Sequence, residues 1–265
     1  MSSSVAGVGR LEVALRTARS TGRKLLVPYV TGGLSAEWTS VVAAMGAGGA
    51  DAIEVGIPFS DPVMDGPTIQ EASARSLARG TTPSSIVSDL SRLDESVPLI
   101  AMTYYNLVFR AGHRRFAAQL NAGGICAAII PDIPLEESGE WEADAGAAGI
   151  ETVLLAAPVT PEDRLIRIAA RSRGFIYAVG LMGVTGERAS VAASAGVLAK
   201  RLKAVTDLPV LIGFGISTPS QAREACQEAD GVVVASALMR RYLDGATPED
   251  LGEQVHAFRQ GLDAG

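Results

Sequence analysis

A chain of 265 residues, 48% hydrophobic and with a formal net charge of −6, is long enough to bury a large α/β core without a disulfide or metal staple. The acidic balance argues against nucleic acid or an anionic membrane surface as the main partner, since both are bound through basic patches. Cys126, Cys226, His113 and His256 have no redox or metal-ligand spacing. The thiols are therefore expected to be buried and free, and the histidines to be surface or packing residues on helices. The stretch "MSSSVAGVGRLEVALRTARS" carries no long apolar run, so the expectation is a soluble, cytoplasmic protein.

One rhythm repeats along the chain: a short β-branched run, a turn rich in Gly, Pro and Asp, then an Ala-rich helical stretch. A helix over about 8–21 comes first, followed by strands at 24–30, 51–56, 98–104 and 125–130. Further strands are predicted at 151–156, 175–180, 209–214 and 231–235, with a helix-length segment after each strand. Leu165, Ile168 and Ala169 share one helical face, as do Leu198, Leu202 and Val205. No linker or charge block divides the chain, so residues 1–265 read as one α/β domain. Eight βα units in this length favour a closed (β/α)8 TIM barrel over an open doubly wound sheet. The first turn, "TGGLSAEW", also lacks the glycine spacing of a dinucleotide site. An extra N-terminal helix would then close the bottom, and a short helix would follow strand eight.

A barrel of this kind carries its site at the C-terminal ends of the strands. In the second strand Ile53, Val55 and Ile57 alternate with Ala52, Glu54 and Gly56. The apolar set suits the helix ring, which turns Glu54 into the barrel. A carboxylate among apolar walls has a raised pKa and suits proton transfer near neutrality, although an interior carboxylate tied up in hydrogen bonds is the plainer reading. Asp65 follows in the loop after the same strand, within "MDGP". Alone it reads as turn chemistry; beside Glu54 it makes a pair of carboxyls in unlike surroundings, an acid/base arrangement that needs no cofactor. Asp61, in "FSDP", reads as a turn former whose carboxylate accepts backbone N–H groups. On the far side, "GVTGER" (183–188), "GFGIST" (213–218) and "VVVASALMRR" bring glycines and a helix start near Ser236 to adjacent strand ends. Such loops bind phosphate through backbone N–H groups.

Taken in order, "DAIEVGIPFSDPVMDGPTIQ", "TYYNLVF", "PDIPLEES", "GVTG" and "GFGIS" resemble the tryptophan synthase alpha subunit family across nearly the whole chain. The resemblance implies a lyase that cleaves indole-3-glycerol phosphate to indole and glyceraldehyde 3-phosphate. It implies Glu54 as the acid/base and Asp65 as the anion that stabilises the indole nitrogen. Tyr29, Met102 and Ile129 match the apolar indole pocket, and Tyr177 and Thr185 match further substrate contacts. Gly186, Gly213, Phe214, Gly215, Ala235 and Ser236 match the phosphate cradle. It also implies no metal and no cofactor in this chain, with PLP in a beta subunit bound in an α2β2 complex. Two departures stand out. Ala235 replaces the glycine common in the family, and its methyl group requires a negative φ. Leu181 and Met182 replace a pair that is often more polar. The alternatives are a stand-alone lyase releasing free indole, a non-catalytic regulatory barrel, and another phosphate-binding barrel such as a sugar-phosphate isomerase.

Overall fold

The computed structural model describes residues 8–93, 96–180, 188–213 and 215–264. Helix α1 (Arg10–Ser20) leads into β1 (Leu25–Thr31), α2 (Trp38–Ala47) and β2 (Ile53–Gly56). Two helices follow β2, α3 (Pro67–Ala78) and α4 (Pro83–Leu90), and two follow β3 (Leu99–Met102), α5 (Tyr105–Ala111) and α6 (His113–Ala122). The next units are β4 (Ile125–Ile129) with α7 (Gly139–Ala147), and β5 (Glu151–Ala156) with α8 (Glu162–Arg171). Then come β6 (Ile176–Ala178) with α9 (Arg188–Lys203), and β7 (Val210–Ile212) with α10 (Pro219–Ala225). Strand β8 (Gly231–Val234) is followed by α11 (Ser236–Leu243) and α12 (Pro248–Asp263). Each strand pairs in parallel with the next, and β1 pairs with β8, so the sheet closes on itself.

All eight predicted strands are present. The longer predicted runs shorten, because residues beyond the ladder turn into loops at the barrel rim. The short helix expected after strand eight is α11; the paired helices after β2 and β3 were not foreseen as separate elements. Three helices, α4, α10 and α12, begin alike: a threonine N-cap (Thr82, Thr218, Thr247), a proline at the first position, and a reciprocal capping box. Proline at that position forfeits no hydrogen bond, and the threonine oxygen satisfies an orphan N–H.

Alternation along the strands sorts the apolar side chains into two layers. Ile53, Val55 and Ile57 pack with Val41, Met45 and Ile86 in the layer between sheet and helices. Leu25, Val27, Ala52, Ile100, Ala127, Ile129, Val153, Tyr177, Leu211 and Val233 fill the interior, with Leu11 and Leu15 of α1 plugging its lower end. Helix α1 has no cap from its own N-terminal side. Glu151 at the start of β5 supplies one, accepting the N–H groups of Leu11 at 2.7 Å and Glu12 at 3.0 Å. A carboxylate there also meets the positive end of the helix dipole.

Strict alternation fails once. Leu99 pairs with Ile125, but Ile100 pairs with Ala127, so Cys126 is an extra residue in the β3–β4 ladder. Cys126 and Ala127 both join the interior cluster, and Ile129 then faces inward as well. Both cysteines are free and buried, as expected. His113 opens α6 and meets the Tyr105 hydroxyl at 3.1 Å, and His256 pairs with Gln260 on α12. No helix among the described residues is long and apolar enough to cross a membrane.

Candidate active site

Strand β2 carries Glu54 into the barrel beneath the mouth, where it is 1% exposed. Its Oε2 has no hydrogen-bond partner. Burial pushes its pKa up to about 8, and the charge of Asp65 adds to the rise. At neutral pH the group is therefore mostly protonated, and it is poised to give and retake a proton. Asp65 sits higher, on the loop that leads into α3, and is half-buried. Burial pushes it up to about 6, while a hydrogen bond from Tyr104 pulls it back. The two carboxyls thus differ: at pH 7 Asp65 is mostly ionised and Glu54 mostly protonated.

The loop is fixed by several bonds. Asp65 N–H donates to Pro62 O at 3.0 Å, and Gln70 Nε2 donates to Asp65 O at 2.8 Å. Tyr104 donates a hydrogen bond to Asp65 and accepts the Met64 N–H at 3.0 Å. Its ring stacks on Phe59 with centroids 5.1 Å apart. Sequence reasoning missed Tyr104. The available signal was its place one residue past Thr103 at the upper end of β3, where barrel sites are built. Asp61 forms a turn, its carbonyl accepting the Val63 N–H at 2.9 Å, but its carboxylate is corrected: it faces solvent, accepts the Ser60 hydroxyl and takes no backbone N–H group among the described residues.

Tyr29 on β1 stands in register with Glu54, and the next interior position of β2 is Gly56. The Tyr29 hydroxyl lies directly over Gly56, where any Cβ would collide with it. Tyr177 on β6 covers Gly213 in the same way. The titration of both phenols is raised, first by burial; Glu54 and Asp65 each contribute charge at both rings. The two carboxyls therefore share one chamber with Tyr29, Tyr104 and Tyr177. Met102 and Ile129, in register with Gly56 and with each other, add its apolar wall.

The phosphate candidates divide. Gly213 spends its N–H on Ala178 O at 3.3 Å, so it offers clearance for Tyr177 rather than a free donor. Gly215 is exposed, with φ at +72°. Ala235 has φ at −115°, which meets the condition its methyl group imposes. Leu238 and Met239 both bond back to Ala235 O, and the N–H groups of Ser236 and Ala237 lie above the helical ladder. Leu181, Met182, Thr185, Gly186 and Phe214 lie outside the described residues. A separate cavity of about 660 Å3 opens at the opposite end of the barrel, lined by Thr21, Arg23, Lys24, Arg223, Cys226 and Leu262 among others. No predicted site residue reaches it. Strand-end position, not cavity size, locates the chemistry.

The profile of the family described as "Tryptophan synthase alpha chain" matches residues 15–263. The chain belongs to the tryptophan synthase alpha chain family. The Thermobifida fusca tryptophan synthase alpha chain is 43% identical over 257 residues, covering 95% of each chain. The Gloeobacter violaceus tryptophan synthase alpha chain is 40% identical over 263 residues, covering 97% of this chain and 95% of its own. Among solved structures, Mycobacterium tuberculosis tryptophan synthase is similar with a TM-score of 0.87 and 35% identity, covering 97% of this chain and 100% of that one. Membership makes the chain a lyase of tryptophan biosynthesis with a (β/α)8 barrel fold.

Proposed function

We propose that this member of the tryptophan synthase alpha chain family cleaves indole-3-glycerol phosphate with Glu54 as the shuttling acid and base and Asp65 as a fixed anion. The observation that carries this reading is a buried, mostly protonated Glu54 in the same chamber as a Tyr104-held, ionised Asp65. Protonated Glu54 donates to C3 of the indole ring. The positive charge that spreads to the ring nitrogen is offset by Asp65. Glu54, now a carboxylate, takes the proton of the side-chain hydroxyl next to the ring. The C–C bond breaks, its electron pair returns to the ring, and indole and glyceraldehyde 3-phosphate leave. Glu54 ends protonated, as it began. The proton inventory closes within this chain, so the reaction as written uses no metal or cofactor, and PLP is assigned to the beta partner.

The substrate ring lies against Tyr29, Met102, Ile129 and Tyr177. The phosphate lies at the start of α11, held by the N–H groups of Ser236 and Ala237, with Gly215 completing its surroundings. A beta subunit docks over the barrel mouth in an α2β2 complex. Support comes from exposed apolar side chains in the segments that follow the strands at that end: Val63 at 76% and Met64 at 49% beside Asp65, Phe109 of α5 at 67% and Val159 at 71%. The test is indole formation from indole-3-glycerol phosphate with and without a cognate beta subunit. Indole release that rises strongly with the beta subunit supports the complex. Full turnover of the isolated chain, with no binding of a beta subunit at micromolar concentration, would assign a stand-alone lyase.

A further inference from the structure

Tyr29 matched the indole pocket as a ring, yet its hydroxyl is the informative part. Thr31 Oγ1 donates to Tyr29 Oη at 3.2 Å, and both residues are buried. That bond uses a lone pair of the phenol and leaves its own proton to be placed, and the phenol donates no hydrogen bond among the described residues. A buried donor left idle costs free energy. The nearest elements narrow the choice. The hydroxyl stands over Gly56, two residues along the same face of β2 from Glu54, and Tyr29 and Glu54 are register partners. Glu54 Oε2 is a buried acceptor with no partner. Asp65, the other anion in the chamber, is already served by Tyr104.

We propose that Tyr29 is a positioning residue for the lyase reaction, its hydroxyl donating to the Glu54 carboxylate at the stage when that group has given up its proton. The inference rests on the reading of Glu54 as the acid and base. Thr31, Tyr29 and Glu54 then form one directed chain of donors that ends on the group doing the chemistry. The consequence is specific. A hydrogen bond to the ionised form favours that form, so Tyr29 holds the Glu54 pKa below the value that burial alone would set. The other titratable groups facing Glu54 are Asp65, whose charge raises it, and Tyr177 on β6, a neutral phenol; Tyr104 faces Asp65.

Tyr29→Phe removes the oxygen and keeps the ring. The first measurement is the carbon-13 NMR titration of the Glu54 carboxyl in the full chain, which reads the site without turnover. The second is the pH profile of indole formation with its cognate beta subunit present. In the variant the Glu54 titration and the alkaline limb of kcat, where the protonated acid is lost, should both move alkaline by about one pH unit. At pH 7, below the limb, kcat should fall up to about 10-fold, because the carboxylate formed on proton transfer has lost its donor, and above the parent's Glu54 pKa of about 8 the variant should keep a larger share of its plateau activity than the parent, with KM little changed. Thr31→Val should move the limb the same way by less, since it frees the phenol to turn. A higher KM with an unmoved limb would make Tyr29 a packing residue and overturn the proposal, as would an unchanged titration. Failure of the underlying reading is separate: Glu54→Gln would then retain its activity whatever Tyr29→Phe does.

Discussion

Replacing Glu54 by glutamine should damage catalysis and stabilise the protein, and the stability change should depend on pH. Burial holds the native carboxyl at about 8 against an ordinary value of 4.5. A raised native pKa means that the folded state keeps its proton while the unfolded chain has released it. The contribution is fully present below pH 4.5 and is lost progressively as pH rises through the native pKa. At about 1.4 kcal/mol per pH unit, the parent protein has lost roughly 3 kcal/mol at pH 7 relative to pH 4. Glutamine does not titrate, so it escapes that loss. It brings a buried amide with unmet hydrogen bonds instead, at about 1–2 kcal/mol at any pH. Glu54→Gln should therefore be less stable than the parent at pH 4, equal to it near about pH 5.5, and about 2 kcal/mol more stable at pH 7. For a chain of this size that is a Tm gain of roughly 4–8 °C at pH 7. Calorimetry of parent and variant at pH 4, 5.5, 7 and 8.5 reads the crossover directly. Indole formation should fall at least ~100-fold in the same variant. A Tm difference that stays constant across the series would refute the buried, protonated carboxyl, whatever happens to the activity.

Asp65→Asn should cut kcat by roughly 100-fold or more, because a neutral amide cannot offset the charge on the indole ring; near-parental kcat would return Asp65 to turn formation. Ala235→Gly should leave affinity for glycerol 3-phosphate, used as an analogue of the phosphate product, within about 2-fold, since Ala235 already has a compatible backbone; a larger change in its dissociation constant would mean the methyl group meets the phosphate. Glu151→Ala removes the cap that β5 lends to α1 and should lower stability by about 1–2 kcal/mol in urea unfolding with kcat unchanged. An unaltered unfolding midpoint would mean that α1 is held by Leu11 and Leu15 alone.

Strand number, barrel closure and the inward aim of Glu54 were legible because each rests on a period-two pattern. Ile53, Val55 and Ile57 leave Glu54 only one face to occupy. The same logic fails at Ile129. Counting alternately from Ile125, which faces the helices, would turn Ile129 outward; the extra residue at Cys126 resets the count. Only the family resemblance placed Ile129 in the pocket, because a bulge leaves no mark in the apolar pattern. Tyr104 was hidden for a related reason. Two tyrosines adjoin in "TYYN", at the point where the strand ends and alternation stops deciding. Tyr104 turns to Asp65, while Tyr105 turns to His113 and Phe109. The paired helices were legible in principle from Thr82-Pro83 and Thr247-Pro248, whose capping signature breaks what otherwise reads as continuous helical sequence.

Two residues of the chamber act through what they lack. Gly56 and Gly213 are bare so that phenol rings can rest against the main chain. Part of the binding volume is thus specified by two missing methyl groups rather than by any side chain. An alanine at either place would leave the barrel closed, yet it would displace a tyrosine within the chamber around Glu54. In a mutational survey these two positions should separate from the rest of the strand interior: abundance preserved, turnover lost. They are sites where a chain of this family can drift out of function without unfolding, and a count of conserved functional groups would never flag the loss.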